Sequence, residues 1–162
     1  CNSMETLLIH RKKVSSVLKT IIDALKESKV IIHSTDEVKD MFRNEKIVKI
    51  DEQDWYIEYL DLEMNIKIVD NIDEAISDIE KYGSLHTESI VTEDIKKAEY
   101  FINSVNSSAI MHNASTRFND GNELGLGAEI GISTTKLHAF GPMGLNELTT
   151  QKFVILGEGQ IK

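Results

Sequence analysis

Hydrophobic positions along the chain follow two periods, one typical of helices and one typical of strands. Between Val14 and Leu25 apolar residues recur every three or four positions, which predicts an amphipathic helix over residues 14–27. Three further helices with apolar faces are predicted at residues 36–42, 72–82 and 95–105. Ser34 stands three residues before Glu37, so a capping box is predicted at the start of the second helix.

Runs rich in β-branched residues separate these helices and predict strands. The predicted strands are residues 6–10, 30–33, 47–50, 64–70, 89–91 and 109–112, with a terminal strand at 151–156. Alternation of strands with helices long enough to cross over predicts an α/β fold with an open, mostly parallel sheet. Residues 119–144 are rich in glycine and lack a periodic pattern, which predicts a long, functional loop.

Composition limits the possible partners and location. The 162 residues contain 18 Lys and Arg against 27 Asp and Glu, a net charge of −9, so no nucleic-acid partner is expected. No apolar run reaches membrane-spanning length, which predicts no membrane partner. The first residues do not resemble a signal peptide and there is a single cysteine, so a cytoplasmic location is expected.

Cys1 is the only cysteine, which excludes an intramolecular disulfide and a cysteine-rich metal site. It is either a reactive thiol or a small hydrophobic residue. The five histidines lack the spacing of metal ligands, so no metal is predicted.

Two loops contain polar residues with possible functions. Arg117 follows a predicted strand and neighbours Ser115 and Thr116, so it is a candidate for anion binding or, alternatively, for a surface salt bridge. The glycines of residues 121–127 do not connect a strand to a crossover helix, which argues against a dinucleotide site. They either let backbone amides approach an anion or permit tight turns.

Five segments in succession resemble γ-glutamyl phosphate reductase, a member of the aldehyde dehydrogenase superfamily. They are residues 1–10 (Cys-Asn-Ser-Met-Glu-Thr-Leu-Leu-Ile-His), 69–90 (containing Gly-Ser-Leu-His-Thr-Glu at 83–88), 113–118 (Asn-Ala-Ser-Thr-Arg-Phe), 125–134 (Gly-Leu-Gly-Ala-Glu-Ile-Gly-Ile-Ser-Thr), and 136–139 (Lys-Leu-His-Ala) with 141–145 (Gly-Pro-Met-Gly-Leu). The resemblance covers the whole chain but only the C-terminal part of a family member. It implies a catalytic domain at residues 1–144 and an oligomerisation strand or tail at 145–162, with the cofactor-binding domain absent from this chain.

The resemblance also implies a reaction. In the family the cysteine matching Cys1 attacks L-glutamyl 5-phosphate and expels phosphate, and hydride from NADPH reduces the thioacyl enzyme to glutamate 5-semialdehyde, a step of proline biosynthesis. By the same resemblance, Glu58 is expected to hold the nicotinamide ribose. Ser115, Thr116 and Arg117 are expected to bind the substrate.

Three further expectations follow from the resemblance. Residues 151–156 are similar to the oligomerisation strand of the superfamily, so the full-length enzyme is expected to be a homo-oligomer. Phe140 stands where family members have an arginine, so a contact of that arginine is expected to be missing. Without the cofactor domain the chain alone is expected to be inactive, and Cys1, as the first residue, is expected to be displaced.

Two other functions are alternatives. Cys1 could be the nucleophile of an amide hydrolase whose own α-amino group acts as base, which requires a four-layer sandwich fold. The chain could also be a non-catalytic oligomerisation module, in which Cys1 would react no faster than free cysteine. Within the reductase hypothesis, the residues could also come from the reductase half of a bifunctional kinase-reductase.

Overall fold

Helices and strands alternate along the chain in the computed structural model, which describes all 162 residues. The helices are α1 (Lys19–Glu27), α2 (Asp36–Met41), α3 (Ile72–Tyr82) and α4 (Ile95–Ser104), with a π-helical turn at Val14–Leu18 and 3-10 turns at Arg11–Lys13, Glu52–Tyr56 and Thr116–Phe118. The strands are β1 (Thr6–His10), β2 (Ile31–Ser34), β3 (Ile47–Lys49), β4 (Glu63–Val69), β5 (Thr87–Ile90), β6 (Ala109–His112), β7 (Gly131–Ser133) and β8 (Gly141–Met143). The four predicted helices and the first six predicted strands are confirmed close to their predicted bounds.

The main sheet has four parallel strands in the order β1-β4-β2-β3. Strands β5 and β6 form a separate parallel pair, and β7 and β8 form an antiparallel pair. The prediction of an α/β fold with a mostly parallel sheet is therefore confirmed. The amino ends of β1 and β4 lie side by side, since Thr6 is opposite Asn65. The residues that precede these two strands are thereby brought to one edge of the sheet.

A hydrophobic core lies between the main sheet and the helices that cross over it. Leu18 and Ile22 of the first helical segment, Val38 of α2 and Ile66 of β4 are fully buried. Each such side chain contributes about 1.5–3 kcal/mol through removal of apolar surface from water. A second cluster forms under α3 and α4 and packs against the β5-β6 pair. These two cores hold the strand ends in fixed positions.

The predicted capping box at α2 is wrong. Thr35, not Ser34, is the N-cap of α2, and it makes no side-chain capping bond. Ser34 is completely buried at the end of β2, and its hydroxyl donates to the carbonyl oxygen of Ile66 at 2.5 Å. A buried hydroxyl requires a partner, and inside the sheet the neighbouring strand provides one.

The predicted strand at residues 151–156 is also wrong for this chain, because the segment pairs with no other strand. A strand needs a neighbouring backbone to accept and donate its hydrogen bonds. Residues 145–162 contain no helix or strand, and the side chains of Phe153 and Ile155 are 96% and 92% exposed.

The glycine-rich segment has more structure than its sequence indicates. It contains the β7-β8 pair, so the prediction that residues 119–144 are an unstructured loop is wrong. Gly125 and Gly127 have φ angles of +75° and +74°, a region that favours glycine, and they form the turns before β7.

The architecture also rejects one alternative. An amide hydrolase with an N-terminal nucleophile requires a four-layer sandwich, whereas here crossover helices pack on a parallel sheet and Cys1 precedes a five-residue strand. Among the helices, none combines the length and apolar character needed to span a bilayer.

Candidate active site

The side chain of Asn2 is the anchor of the N-terminal segment. It is buried, and its amide nitrogen donates to the carbonyl oxygens of Asn119 at 3.0 Å and Arg117 at 3.3 Å. Its amide oxygen accepts from the Arg117 guanidinium at 2.7 Å, and its backbone oxygen accepts from the Thr116 hydroxyl at 2.7 Å. The residue next to Cys1 is thus tied to the loop after β6. The expected displacement of Cys1 itself stays a prediction, although its neighbour Asn2 is held in place.

The three residues of the predicted substrate loop lie together at this anchor. Ser115 caps the 3-10 turn at Thr116–Phe118, since its hydroxyl accepts from the backbone N–H of Arg117 at 3.2 Å. Asn2 is the only side-chain partner of the Arg117 guanidinium, which forms no ion pair. The alternative of a surface salt bridge for Arg117 is therefore wrong, and its remaining N–H groups are free to bind an anion.

Cys1 and Glu58 line the same cleft. The cleft lies between residues 1–5 and 58–63, has a volume of about 390 Å³, and is called the Cys1 cleft below. The thiol of Cys1 is exposed, and so is the carboxylate of Glu58. The segment containing Glu58 precedes β4 and Cys1 precedes β1, so the parallel pairing of these strands places the two residues at one edge of the sheet. The cleft is open to solvent and accessible to a ligand.

Two carboxyl groups that sequence analysis did not single out lie close to the Cys1 cleft. Glu5 lines the cleft, and burial, followed by the nearby charge of Glu58, raises its pKa. Burial raises the pKa of Glu88 to about 7, opposed by a hydrogen bond from Ser107, and the charge of Glu5 raises it further. Glu88 lies in β5, one residue before the strand that the sequence predicts at 89–91, so no local pattern marked it as part of a strand. Glu88 is therefore partly protonated near neutral pH, and the pKa of Glu5 is shifted in the same direction.

His86 precedes β5 and is buried. Its Nδ1 atom is hydrogen-bonded to the hydroxyl of Thr87, and its backbone oxygen accepts from the hydroxyl of Ser108 at 2.6 Å. Burial lowers the pKa of His86, and the positive amino group of Cys1 lowers it further. Both effects favour the neutral form of the imidazole.

The backbone amides at the start of the glycine-rich loop are paired within the chain. The backbone N–H of Gly121 donates to the Glu129 carboxylate at 2.7 Å, and those of Asn122 and Glu123 donate to the Asp120 carboxylate at 3.0 and 3.2 Å. Because these three donors are already paired within the chain, the interpretation as tight turns is favoured over anion binding at residues 121–123.

Phe140, at the position where the resembling family has arginine, has a neighbouring cation. The ammonium nitrogen of Lys136 lies 5.1 Å from the centroid of the Phe140 ring, within the range of a cation–π interaction. A positive charge is therefore present in this region despite the change of residue. No group of three or more His, Cys, Asp or Glu side chains is arranged to bind a metal ion.

Comparisons with known proteins give one consistent family. The chain is 52% identical over 162 residues to a gamma-glutamyl phosphate reductase of Geotalea daltonii and 51% identical to that of Dictyoglomus thermophilum. Both matches include 100% of this chain but only 38% and 39% of the relatives. The chain therefore spans about two fifths of the length of the curated relatives it matches. No protein-family model matches the chain.

Solved structures agree with the sequence matches. The crystal structure of gamma-glutamyl phosphate reductase from Thermotoga maritima superposes with a TM-score of 0.91 at 45% identity, covering 100% of this chain and 39% of that one. The enzyme from Saccharomyces cerevisiae gives a TM-score of 0.56 at 33% identity, covering 77% of this chain and 32% of that one. The predicted fold is thereby confirmed by proteins of known structure.

Proposed function

Because the 162 residues correspond along their whole length to part of the gamma-glutamyl phosphate reductases, we propose that they form the thiol-bearing region of such an enzyme. The observation that carries the proposal is the 52% identity over the complete chain. The substrate is L-glutamyl 5-phosphate, the product is glutamate 5-semialdehyde, and the pathway is proline biosynthesis in the cytoplasm.

In this proposal Cys1 is the nucleophile. Its thiolate attacks the acyl carbon of L-glutamyl 5-phosphate, forms a thioester and expels inorganic phosphate. A thioester is electrophilic enough to accept hydride, which explains the use of a thiol here. The exposure of the thiol in the Cys1 cleft and the anchoring of Asn2 support this role, since a nucleophile must be accessible and held in place.

Arg117 binds an anionic group of the substrate. Its guanidinium donates one hydrogen bond to Asn2 and has no carboxylate partner, so other N–H groups remain for a phosphate or carboxylate oxygen. Ser115 and Thr116 shape the loop around it through the bonds to the Arg117 backbone and to the Asn2 carbonyl. The substrate is thereby oriented next to Cys1.

The cofactor is NADPH, which supplies the hydride when bound. Glu58 fits a position beside its nicotinamide ribose, because an exposed carboxylate on the wall of the Cys1 cleft can accept hydrogen bonds from ribose hydroxyls. The remaining contacts belong to the three fifths of the relatives' length that this chain does not match. The 162 residues alone are accordingly proposed to lack turnover.

The test is a chimaera in which these 162 residues replace the matching part of the Geotalea daltonii relative. We expect the chimaera to reduce NADP⁺ in the presence of glutamate 5-semialdehyde and phosphate, the reverse reaction, and Cys1→Ser to abolish this activity. The unmodified relative and the 162 residues alone are the controls. An inactive but folded chimaera, or activity that survives Cys1→Ser, would contradict the proposal.

Residues 151–156 are proposed to pair with a second subunit in the full-length enzyme. The support is their lack of a partner in this chain together with the exposure of Phe153 and Ile155. An exposed apolar segment of this kind gains stability when another chain provides the missing strand. Deletion of residues 151–162 from the chimaera is expected to lower its oligomeric state in analytical ultracentrifugation.

A further inference from the structure

The segment that contains Glu58 has no regular structure of its own. Residues 57–62 form neither a helix nor a strand, and Leu60, which is 84% exposed, has a φ angle of +54°. This left-handed region is unfavourable for a residue other than glycine, so such a conformation persists only where neighbouring contacts hold it. The place of the Glu58 side chain therefore depends on how the adjacent residues are attached to the fold.

Tyr59 attaches this segment to the main sheet. Its hydroxyl donates to Oδ1 of Asn65 in β4 at 2.7 Å. Its ring stacks on the imidazole of His33 in β2, with ring centroids 4.7 Å apart and planes inclined by 23°. The imidazole is fixed in turn, because its Nε2 atom is hydrogen-bonded to the Glu63 carboxylate at 2.6 Å. The residue directly after Glu58 is thus held both at its hydroxyl and at one face of its ring.

Asn65 is bonded to both walls of the Cys1 cleft. It is completely buried, and β4 lies between β1 and β2 in the sheet. Its backbone N–H donates to the backbone oxygen of Glu5 at 2.7 Å, while its side-chain oxygen accepts from the Tyr59 hydroxyl. Glu5 and Tyr59 line the cleft from its two sides. One rigidly held residue therefore determines how the two walls are placed relative to each other.

We propose that Tyr59 is a positioning residue, which holds the Glu58 carboxylate in a fixed place on the wall of the Cys1 cleft opposite Cys1. This inference rests on the proposed function, in which Glu58 accepts hydrogen bonds from the nicotinamide ribose. Burial and, after it, the charge of Glu58 raise the pKa of Glu5, which agrees with a Glu58 carboxylate directed toward the wall formed by residues 1–5. A carboxylate that is already in place loses less freedom when a ligand binds, so binding is stronger.

The experiment measures NADP⁺ binding to the chimaera by calorimetry. Glu58→Gln should raise the Kd for NADP⁺ about tenfold or more, because hydrogen bonds to a charged acceptor are lost. Tyr59→Phe retains the ring on His33 and loses only the hydroxyl, and it should raise the Kd at least about threefold. Because Tyr59 acts through Glu58, adding Tyr59→Phe to Glu58→Gln should change the Kd by less than about twofold. The KM for glutamate 5-semialdehyde should also stay within about twofold in Tyr59→Phe.

Tyr100→Phe is the matched control. The Tyr100 hydroxyl also donates to a side chain, Oδ1 of Asp73 at 2.7 Å, but neither residue lines the Cys1 cleft. Its Kd for NADP⁺ should stay within about twofold of that of the unsubstituted chimaera. Hydrogen–deuterium exchange on the 162-residue chain gives a second readout without any ligand. The amides of residues 58–62 should exchange faster in Tyr59→Phe and at an unchanged rate in Tyr100→Phe.

Each other outcome has a definite meaning. If Glu58→Gln weakens NADP⁺ binding and Tyr59→Phe does not, the inference is overturned and the proposed function stays intact. Additive losses in the double variant would show that Tyr59 acts independently of Glu58, which also overturns the inference. So would an equal rise in the KM for the semialdehyde, an equal loss in Tyr100→Phe, or unchanged exchange at residues 58–62. An unchanged Kd in Glu58→Gln would show that the proposed role of Glu58 is wrong, and the inference would fall with it.

Discussion

Replacing Glu88 by glutamine should remove a pH dependence from the free energy of unfolding. Burial raises the pKa of Glu88 from 4.5 to about 7, against the lowering effect of the Ser107 hydrogen bond and with a further increase from the charge of Glu5. Glutamine has nearly the same shape and can still accept the bond from Ser107, but it has no ionisable proton. The substitution therefore isolates the titration.

The sign follows from the protons bound in each state. Below about pH 4.5 the carboxyl group is protonated in both the folded and the unfolded chain. Between about pH 4.5 and 7 the unfolded chain ionises while the folded chain does not, so unfolding releases a proton and stability falls as the pH rises. The difference between these pKa values, at about 1.4 kcal/mol per pH unit, corresponds to about 3 kcal/mol.

Urea denaturation followed by the fluorescence of Trp55, the single tryptophan and a buried one, measures this quantity. Glu88→Gln should match the wild type at pH 4.5 and exceed it by about 3 kcal/mol at pH 7.5. Glu99→Gln is the matched control, since Glu99 is exposed on α4 and its carboxylate forms no ion pair or hydrogen bond. A difference between Glu88→Gln and the wild type that does not change with pH would refute the reasoning.

Two further predictions concern stability at constant pH. Asn2→Ala removes three side-chain hydrogen bonds to Arg117 and Asn119. It should lower the free energy of unfolding, measured by urea denaturation, by about 2–3 kcal/mol. An unchanged free energy of unfolding would show that the Asn2 side chain does not stabilise the fold. Ile66→Ala, at a fully buried position of β4, should lower the free energy of unfolding by about 2–5 kcal/mol. Its control, Ile155→Ala in the exposed tail, should change the free energy of unfolding by less than about 0.5 kcal/mol. Similar losses at both positions would contradict the assignment of the core.

Sequence periodicity predicted the regular elements because their side chains face one core. In β4, Met64, Ile66 and Ile68 alternate with polar residues, and all three are buried. Such a pattern depends only on neighbouring residues in the chain, so it is visible without knowledge of the fold. The same reasoning failed for residues 151–156, where the pattern of a strand is present but the chain provides no partner strand.

The site depends on contacts between distant parts of the chain. The Cys1 and Arg117 positions were identified from motifs, but the bond between Asn2 and Arg117 joins residues 115 positions apart, and no local pattern predicts it. The proton affinity of Glu88 likewise follows from its burial and from the charge of Glu5, and four strands and three helices separate these two residues in the chain. Folding creates these properties, and sequence patterns do not contain them.

The exposed apolar tail also determines how the isolated chain behaves at high concentration. Phe153, Val154, Ile155 and Leu156 form a short run of high β-propensity without proline or charge, which is the type of segment that stacks into cross-β fibrils. Lys152 is the single charge directly beside it, and one charge gives little protection against such stacking. Samples of these 162 residues should therefore lose solubility through this segment before any part of the folded core opens.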